Sequence, residues 1–77
     1  MKKVFVDVVV KYRKDGQQIP LIVIWEDGRK YEVDKVTEVK KAASLKVGGQ
    51  GMRYQCRISG HETFLWLEDG RWFVEAK

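Results

Sequence analysis

The segment FLWLEDGRWFVE, residues 64–75, decides the fold of this chain. Strand-like apolar runs lie on both sides of its central Asp-Gly pair, and their side chains alternate between two faces. Asp-Gly between two such runs strongly indicates a β-hairpin with a two-residue turn. The segment therefore predicts two paired strands, 64–67 and 71–75. One face of this hairpin is wholly apolar and is expected to lie on the core; it carries Leu65, Leu67, Trp72 and Val74.

The opposite face of the same hairpin is aromatic as well, with Phe64, Trp66 and Phe73 among charged residues. Aromatic side chains exposed on a sheet beside basic residues suit base stacking or contact with a protein. The alternative is a second small core, because strongly curved barrels cover part of their outer face with loops or termini.

Alternation of period two continues through the rest of the chain and predicts strands over 3–13, 20–25, 29–33 and 52–59. The second and third strands are joined at Asp27-Gly28, where we expect a type I′ turn with positive φ at both residues. Glu-Asp-Gly-Arg occurs at 26–29 and again at 68–71, so each hairpin is expected to pair its Glu with its Arg across the strands.

Residues 34–45 allow two interpretations. Val33, Val36 and Val39 recur at intervals of three, which suits one face of a short helix, whereas the β-branched content favours a bent, bulged continuation of the third strand. We expect the bent strand. Residues 46–51, KVGGQG, are expected to form a flexible loop; the phosphate-loop pattern is not met, because no Lys followed by Ser or Thr comes after its last glycine.

Six short strands joined by short turns predict an all-β fold, and closing the sheet removes its open edges. We expect a single domain over 1–77, an SH3-like antiparallel barrel built as a six-stranded meander. The 77 residues leave no room for a second core.

Composition excludes several classes of protein. The single Cys rules out a disulfide within the chain, and one Cys with one His cannot build a zinc site. The longest apolar runs are too short for a membrane span or a signal peptide, so we expect a cytoplasmic protein without membrane association. No cofactor and no metal site are expected.

Cys56 is the only candidate for a nucleophilic thiol. It shares its face with Met52, Tyr54 and Ile58, so it is expected to point into the core, away from His61 in a predicted turn. A buried thiol is usually an inert, small apolar group. We therefore expect no catalytic residues and no enzymatic activity.

Charge is concentrated in one part of the chain. The net charge is +4, with 15 Lys and Arg against 11 Asp and Glu, and residues 39–61 contain five basic residues and no acidic one. Such segregation suits a polyanionic partner, although a basic face also keeps a small protein soluble. Combined with the aromatic positions, it gives a predicted binding set: Trp25, Arg53, Arg57, Phe64, Trp66 and Phe73.

A family resemblance follows from short motifs: PLIVIW at 20–25, GRxYxVxxV at 28–36, Arg53-Tyr54, and RWFV at 71–74. Together they resemble uncharacterised small bacterial β-barrel domains over about residues 19–75. Some domains of similar pattern look like those appended to Y-family DNA polymerases. The resemblance implies an association with DNA-related work and brings no catalytic residues.

Two functions are consistent with this sequence. The first is a non-enzymatic module that binds single-stranded nucleic acid, with basic residues on phosphates and outer aromatics on bases. The second is a protein-interaction or self-associating accessory domain whose aromatic face meets a partner, in a monomer or weak homodimer. Salt separates them, since nucleic-acid affinity falls steeply with salt and an apolar interface is nearly indifferent to it.

Overall fold

A computed structural model of the chain describes residues 2–41 and 51–76. The six predicted strands are all present; two of them are shifted by one residue without a change of length, and the other four are longer than predicted. They are β1 Lys2–Tyr12, β2 Gln18–Ile24, β3 Lys30–Lys41, β4 Gly51–Ile58, β5 His61–Glu68 and β6 Arg71–Ala76.

The strands form a closed antiparallel barrel in which each pairs with the next and β6 returns to β1. Two long strands each pair with two neighbouring strands, one along each half of their length. β1 pairs with β6 through Lys2–Val6 and with β2 through Asp7–Tyr12, while β3 pairs with β2 through Lys30–Glu32 and with β4 from Val33 onwards. The all-β class, the meander order and the closure are confirmed.

Two β-bulges in β3 account for the interval of three between its valines. Its register against β4 shifts twice, between Val33 and Lys35 and between Val36 and Glu38. Each shift inserts an extra residue, so the inward side chain recurs after three positions instead of two. Val33, Val36 and Val39 all pack against the core. The bent strand is therefore confirmed as far as Lys41, and the rest of the 34–45 stretch lies outside the described residues.

The core is made by the inward faces that the alternation predicted. The Tyr54 hydroxyl crosses the interior and donates a hydrogen bond to the Gln18 carbonyl oxygen at 2.7 Å, which ties β4 to β2. The buried cluster consists of Val6, Val23, Tyr54, Cys56, Leu65 and Trp72.

Asp-Gly turns take two forms. At 69–70 both residues have positive φ, 51° and 74°, and the flanking Glu68 and Arg71 are paired, so the predicted two-residue turn is confirmed and is of type I′. At 27–28 the prediction is wrong, because of the two only Gly28 has positive φ. The Gly28 amide donates to the Trp25 carbonyl and the Trp25 amide to the Arg29 carbonyl, which makes a type I turn followed by a glycine bulge.

The expectation of an ion pair between Glu26 and Arg29 is also wrong, because the two residues are not cross-strand partners in the longer loop. The Arg29 guanidinium instead contacts the Asp27 carboxylate at 3.3 Å. In the other hairpin Glu68 does lie opposite Arg71, and its carboxylate contacts the Lys3 ammonium of β1 at 3.1 Å.

Candidate nucleic-acid interface

A row of side chains crosses the outside of four neighbouring strands at one height. Arg53 of β4 lies opposite Trp66 of β5, Trp66 opposite Phe73 of β6, and Phe73 opposite Phe5 of β1. We call these four residues the outer row. They alternate with core residues such as Leu65 and Trp72, so they point away from the barrel interior.

The centre of the outer row is covered. Trp66 is 8% exposed and Phe73 is fully buried, so the expectation that both rings are exposed is wrong. Directly paired side chains on neighbouring strands lie close enough to bury one another. Phe73 stacks with Trp66 at 6.1 Å and meets Phe5 edge-on at 5.6 Å, and the Lys3 ammonium lies 4.6 Å above its ring. The alternative of a second small core is the one that the structure supports.

Two phenylalanine rings flank this second core and remain accessible. Phe64 is 43% exposed and Phe5 is 45% exposed. Each is covered on one face by a guanidinium, with Arg53 4.6 Å from the Phe64 ring centre and Arg71 4.5 Å from the Phe5 ring centre. Sequence reasoning missed Phe5 and Arg71. The signal was present, because Phe5 stands on the polar side of β1, where an aromatic residue has no core to fill.

Some basic side chains of this region form an ion pair with a carboxylate, and others form none. Lys3 contacts Glu68, and Lys40 contacts Glu38 at 2.8 Å. The Lys40 hydrogen bond, with the nearby positive charges of Lys40 and Arg53, lowers the pKa of the Glu38 carboxyl despite some desolvation. Among the described residues, Arg53 and Arg71 form no ion pair.

Arg57 is one of the basic residues that form an ion pair. Its guanidinium contacts the Glu62 carboxylate at 3.3 Å, directly across the β4–β5 ladder. The structure thus places Arg57 on the same outer surface as Arg53, as predicted, but with its charge already offset. Lys46, another basic residue of the 39–61 segment, lies outside the described residues.

Trp25 is separate from Arg53 and Phe64. It is half-buried where the β2–β3 hairpin begins, and packs against the core. It does, however, line a cleft of about 690 Å³ together with Phe5 and Arg71. Of the predicted binding set, Arg53 and Phe64 therefore lie together at one end of the outer row, and Trp25 lies near the other end, where Phe5 and Arg71 meet.

The thiol of Cys56 has the character expected of a core residue. The side chain is fully buried, and its sulfur lies 3.6 Å from the Tyr54 carbonyl oxygen, to which the thiol donates. Desolvation is the main cause that raises the pKa of this thiol to about 11, with the Glu62 charge adding to it. At neutral pH the group is a protonated thiol without access to solvent, which is the opposite of an activated nucleophile.

The part of the chain that the structure describes contains neither a cluster of metal-binding side chains nor a membrane-spanning helix. No group of three or more His, Cys, Asp or Glu side chains there could hold a metal ion. No helix in this part of the chain has the length and apolar character needed to cross a bilayer.

Comparison with known proteins gives no relative for this chain: no known family, no curated protein and no solved structure matches it. Its function therefore has to be inferred from the geometry of the outer face.

Proposed function

We propose that this domain is a non-enzymatic module that binds single-stranded nucleic acid through the two ends of the outer row. The observation that carries the proposal is that each exposed ring, Phe64 and Phe5, lies under a guanidinium that forms no ion pair with a carboxylate among the described residues. Every nucleobase has a π-face that can stack on such a ring whatever its sequence.

An arginine above a phenylalanine supplies both interactions that a nucleotide needs. The guanidinium is planar and weakly hydrated, so it stacks on a base as well as on a ring, and its fork of donors matches a phosphate. Arg53 and Arg71 can therefore turn from the ring to a phosphate while a base takes the vacated ring face. Lys3 and Arg57 are less available, because each already contacts a carboxylate.

The spacing of the two ends fits a short stretch of a strand. Arg53 and Phe5 are three strand-to-strand steps apart along the outer row, which is roughly 14 Å at about 4.8 Å a step. Stacked bases rise about 3.4 Å each, so a strand that follows the outside of the barrel between the two ends needs roughly four nucleotides or more. The buried Trp66–Phe73 pair between the two ends then supports the surface and does not itself stack on bases.

Salt dependence of binding tests this proposal. Fluorescence anisotropy of a labelled oligothymidylate, titrated with protein at several salt concentrations, gives the slope of log affinity against log salt. That slope is about −0.7 for each phosphate contact to a single strand. Arg53→Gln and Arg71→Gln should each make it less steep by about 0.7.

Arg29→Gln is the matched control, because it removes the same charge from an exposed arginine in the β2–β3 hairpin. It should leave the slope unchanged. Phe64→Ala should weaken binding by about 1–3 kcal/mol with little change of slope. Equal effects of all three arginine changes would show that only net charge matters and would refute a site on the outer row.

The second candidate, a protein-interaction or self-associating domain, is favoured by the same exposed apolar area. Phe5 and Phe64 border a buried aromatic pair, so an apolar partner could continue that packing. Sedimentation velocity over a concentration series, at low and high salt, distinguishes the two functions. Self-association that survives high salt and is lost in Phe64→Ala would favour this second function.

A further inference from the structure

We propose that the open end of the barrel is a second binding site, distinct from the outer row, that takes one neutral heteroaromatic ring. This barrel mouth is an apolar depression of about 330 Å³ whose walls include the rings of Trp25 and Tyr31. Mouths of β-barrels are among the places where proteins bind small ligands.

The floor of the barrel mouth is the top of the main core. Val23 is 4% exposed and Leu65 is fully buried, and both face the depression together with Val74. A ligand entering here would therefore lie on side chains that the rest of the barrel holds in place, so little ordering is needed on binding.

The charge of the lining selects a neutral ligand. Among the described residues that line the mouth there is no Asp, Glu, Lys or Arg. A charged group placed there would lose water without gaining an ionic partner, which is unfavourable. The rings of Trp25 and Tyr31 favour a flat ligand, since aromatic groups prefer stacked or edge-on neighbours.

The rim adds polar groups that have no partner within the described chain. Thr63 and His61 line the mouth, as does Tyr31, and none of their side chains forms a hydrogen bond to another described residue. These groups can donate to or accept from the edge of a heterocycle. A purely aliphatic ligand would leave them unused, which is why we infer a ring that carries nitrogen or oxygen atoms.

The volume indicates the size of that ring. A cavity of about 150 Å³ accommodates benzene, so about 330 Å³ suits a bicyclic ring of purine size. Two sources could supply it, a base of a nucleic-acid strand or a free heterocyclic compound. Trp25 also lines the cleft that contains Phe5 and Arg71, so a strand held at that end of the outer row could reach the mouth.

Adenosine is the probe that tests the site, because it is neutral and carries no phosphate. Titration of isotopically labelled protein should give saturable NMR shifts of the Trp25 indole and of the Tyr31 and Thr63 amides. These shifts should be equal at low and high salt. No saturable shift up to the solubility limit of adenosine would overturn the proposal.

Variants with a matched control identify the walls. Tyr31→Leu should weaken adenosine binding at least tenfold, whereas Tyr12→Leu, which removes a ring 70% exposed outside the mouth, should leave it unchanged. Equal effects of the two would overturn the proposal. Should Tyr31→Leu fail to fold, Thr63→Phe fills the mouth from β5 and should abolish the shifts; retained binding in that variant would also overturn it.

Competition between adenosine and an oligonucleotide shows whether the ring comes from a nucleic-acid strand or from a free heterocyclic compound. If adenosine displaces an oligonucleotide from Trp25 and Tyr31, the mouth holds a base of a bound strand. If both bind together, the mouth serves a free heterocycle. Failure of the mouth and failure of the outer row are distinguishable, because Arg53→Gln should reduce oligonucleotide binding and leave adenosine binding intact.

Discussion

The tetrapeptide Glu-Asp-Gly-Arg forms two different turns in this protein. At 68–71 it is a two-residue type I′ turn in which Asp69 has φ of 51°. At 26–29 it belongs to a three-residue loop in which Trp25 pairs with Arg29 and only the glycine has positive φ. Identical residues thus take two conformations within one chain of 77 residues.

The difference shows that strand register, and not the Asp-Gly pair, selects the turn. β6 pairs with β1 as well as with β5, and Lys3 of β1 contacts Glu68 at the base of the turn. In the β5–β6 register Glu68 pairs with Arg71, which leaves two residues for the turn. The other loop is stabilised locally, since the Asp27 carboxylate accepts a hydrogen bond from the Arg29 amide at 2.9 Å.

Proline at the first central position should separate the two turns most strongly. Asp69→Pro cannot keep the φ of 51°, since proline fixes φ near −65°, so we expect a loss of about 3 kcal/mol or more. Glu26→Pro occupies the position that a type I turn prefers for proline, and should change stability by less than about 0.5 kcal/mol. Urea unfolding measures both, and similar losses would refute the assignment of two turn types.

Alanine in place of either glycine should destabilise the protein, because both turns need positive φ at the glycine. Gly28 and Gly70 have φ of 87° and 74°, and an added Cβ would meet no atom within 4 Å at either site. Each Gly→Ala change should therefore destabilise by about 1–2 kcal/mol for conformational reasons alone. The same unfolding experiment checks this, and a near-neutral result at both sites would contradict positive φ at these positions.

Neutralising each glutamate should show that the 68–71 turn is stabilised by a contact with β1, whereas the 26–29 loop is not. Glu68→Gln weakens the partly buried contact with Lys3 and should cost about 1 kcal/mol. Glu26→Gln lies in an exposed loop and should have almost no effect. Thermal unfolding at low and high salt measures the difference, which should shrink as salt is added; a larger loss at Glu26 would contradict the role given to β1.

Asparagine for aspartate should give the smallest contrast. Asp69→Asn creates Asn-Gly, the preferred pair for a type I′ turn, and should be neutral or stabilising by a few tenths of a kcal/mol, about 0.3. Asp27→Asn removes the contact with Arg29 and should be slightly destabilising by a similar amount, about 0.3. Opposite signs in the unfolding data are the expected result, and equal signs would argue against different turns.

Alternation predicted which way side chains point but not what covers them. Cys56 is in the core and the valines of β3 follow its bulges, because facing inward is a property of each strand alone. The burial of Trp66 and Phe73 depends on Phe5 and Lys3 of β1, more than 60 residues away in sequence. No local pattern carries that pairing, so the contact between Arg53 and Phe64 on neighbouring strands was within reach of the sequence, whereas the contribution of Phe5 was not.

Closure between β1 and β6 has a consequence for how the barrel is reached during folding. Lys2 pairs with Ala76, so the first and last strands meet only when nearly the whole chain is available. Contacts of such long sequence separation carry a large loop-closure entropy and slow the search. A chain still emerging from the ribosome would hold β1 without its β6 partner, with Phe5 exposed and one strand edge open. Before the closing step the chain therefore exposes an unpaired strand edge, a feature that favours aggregation.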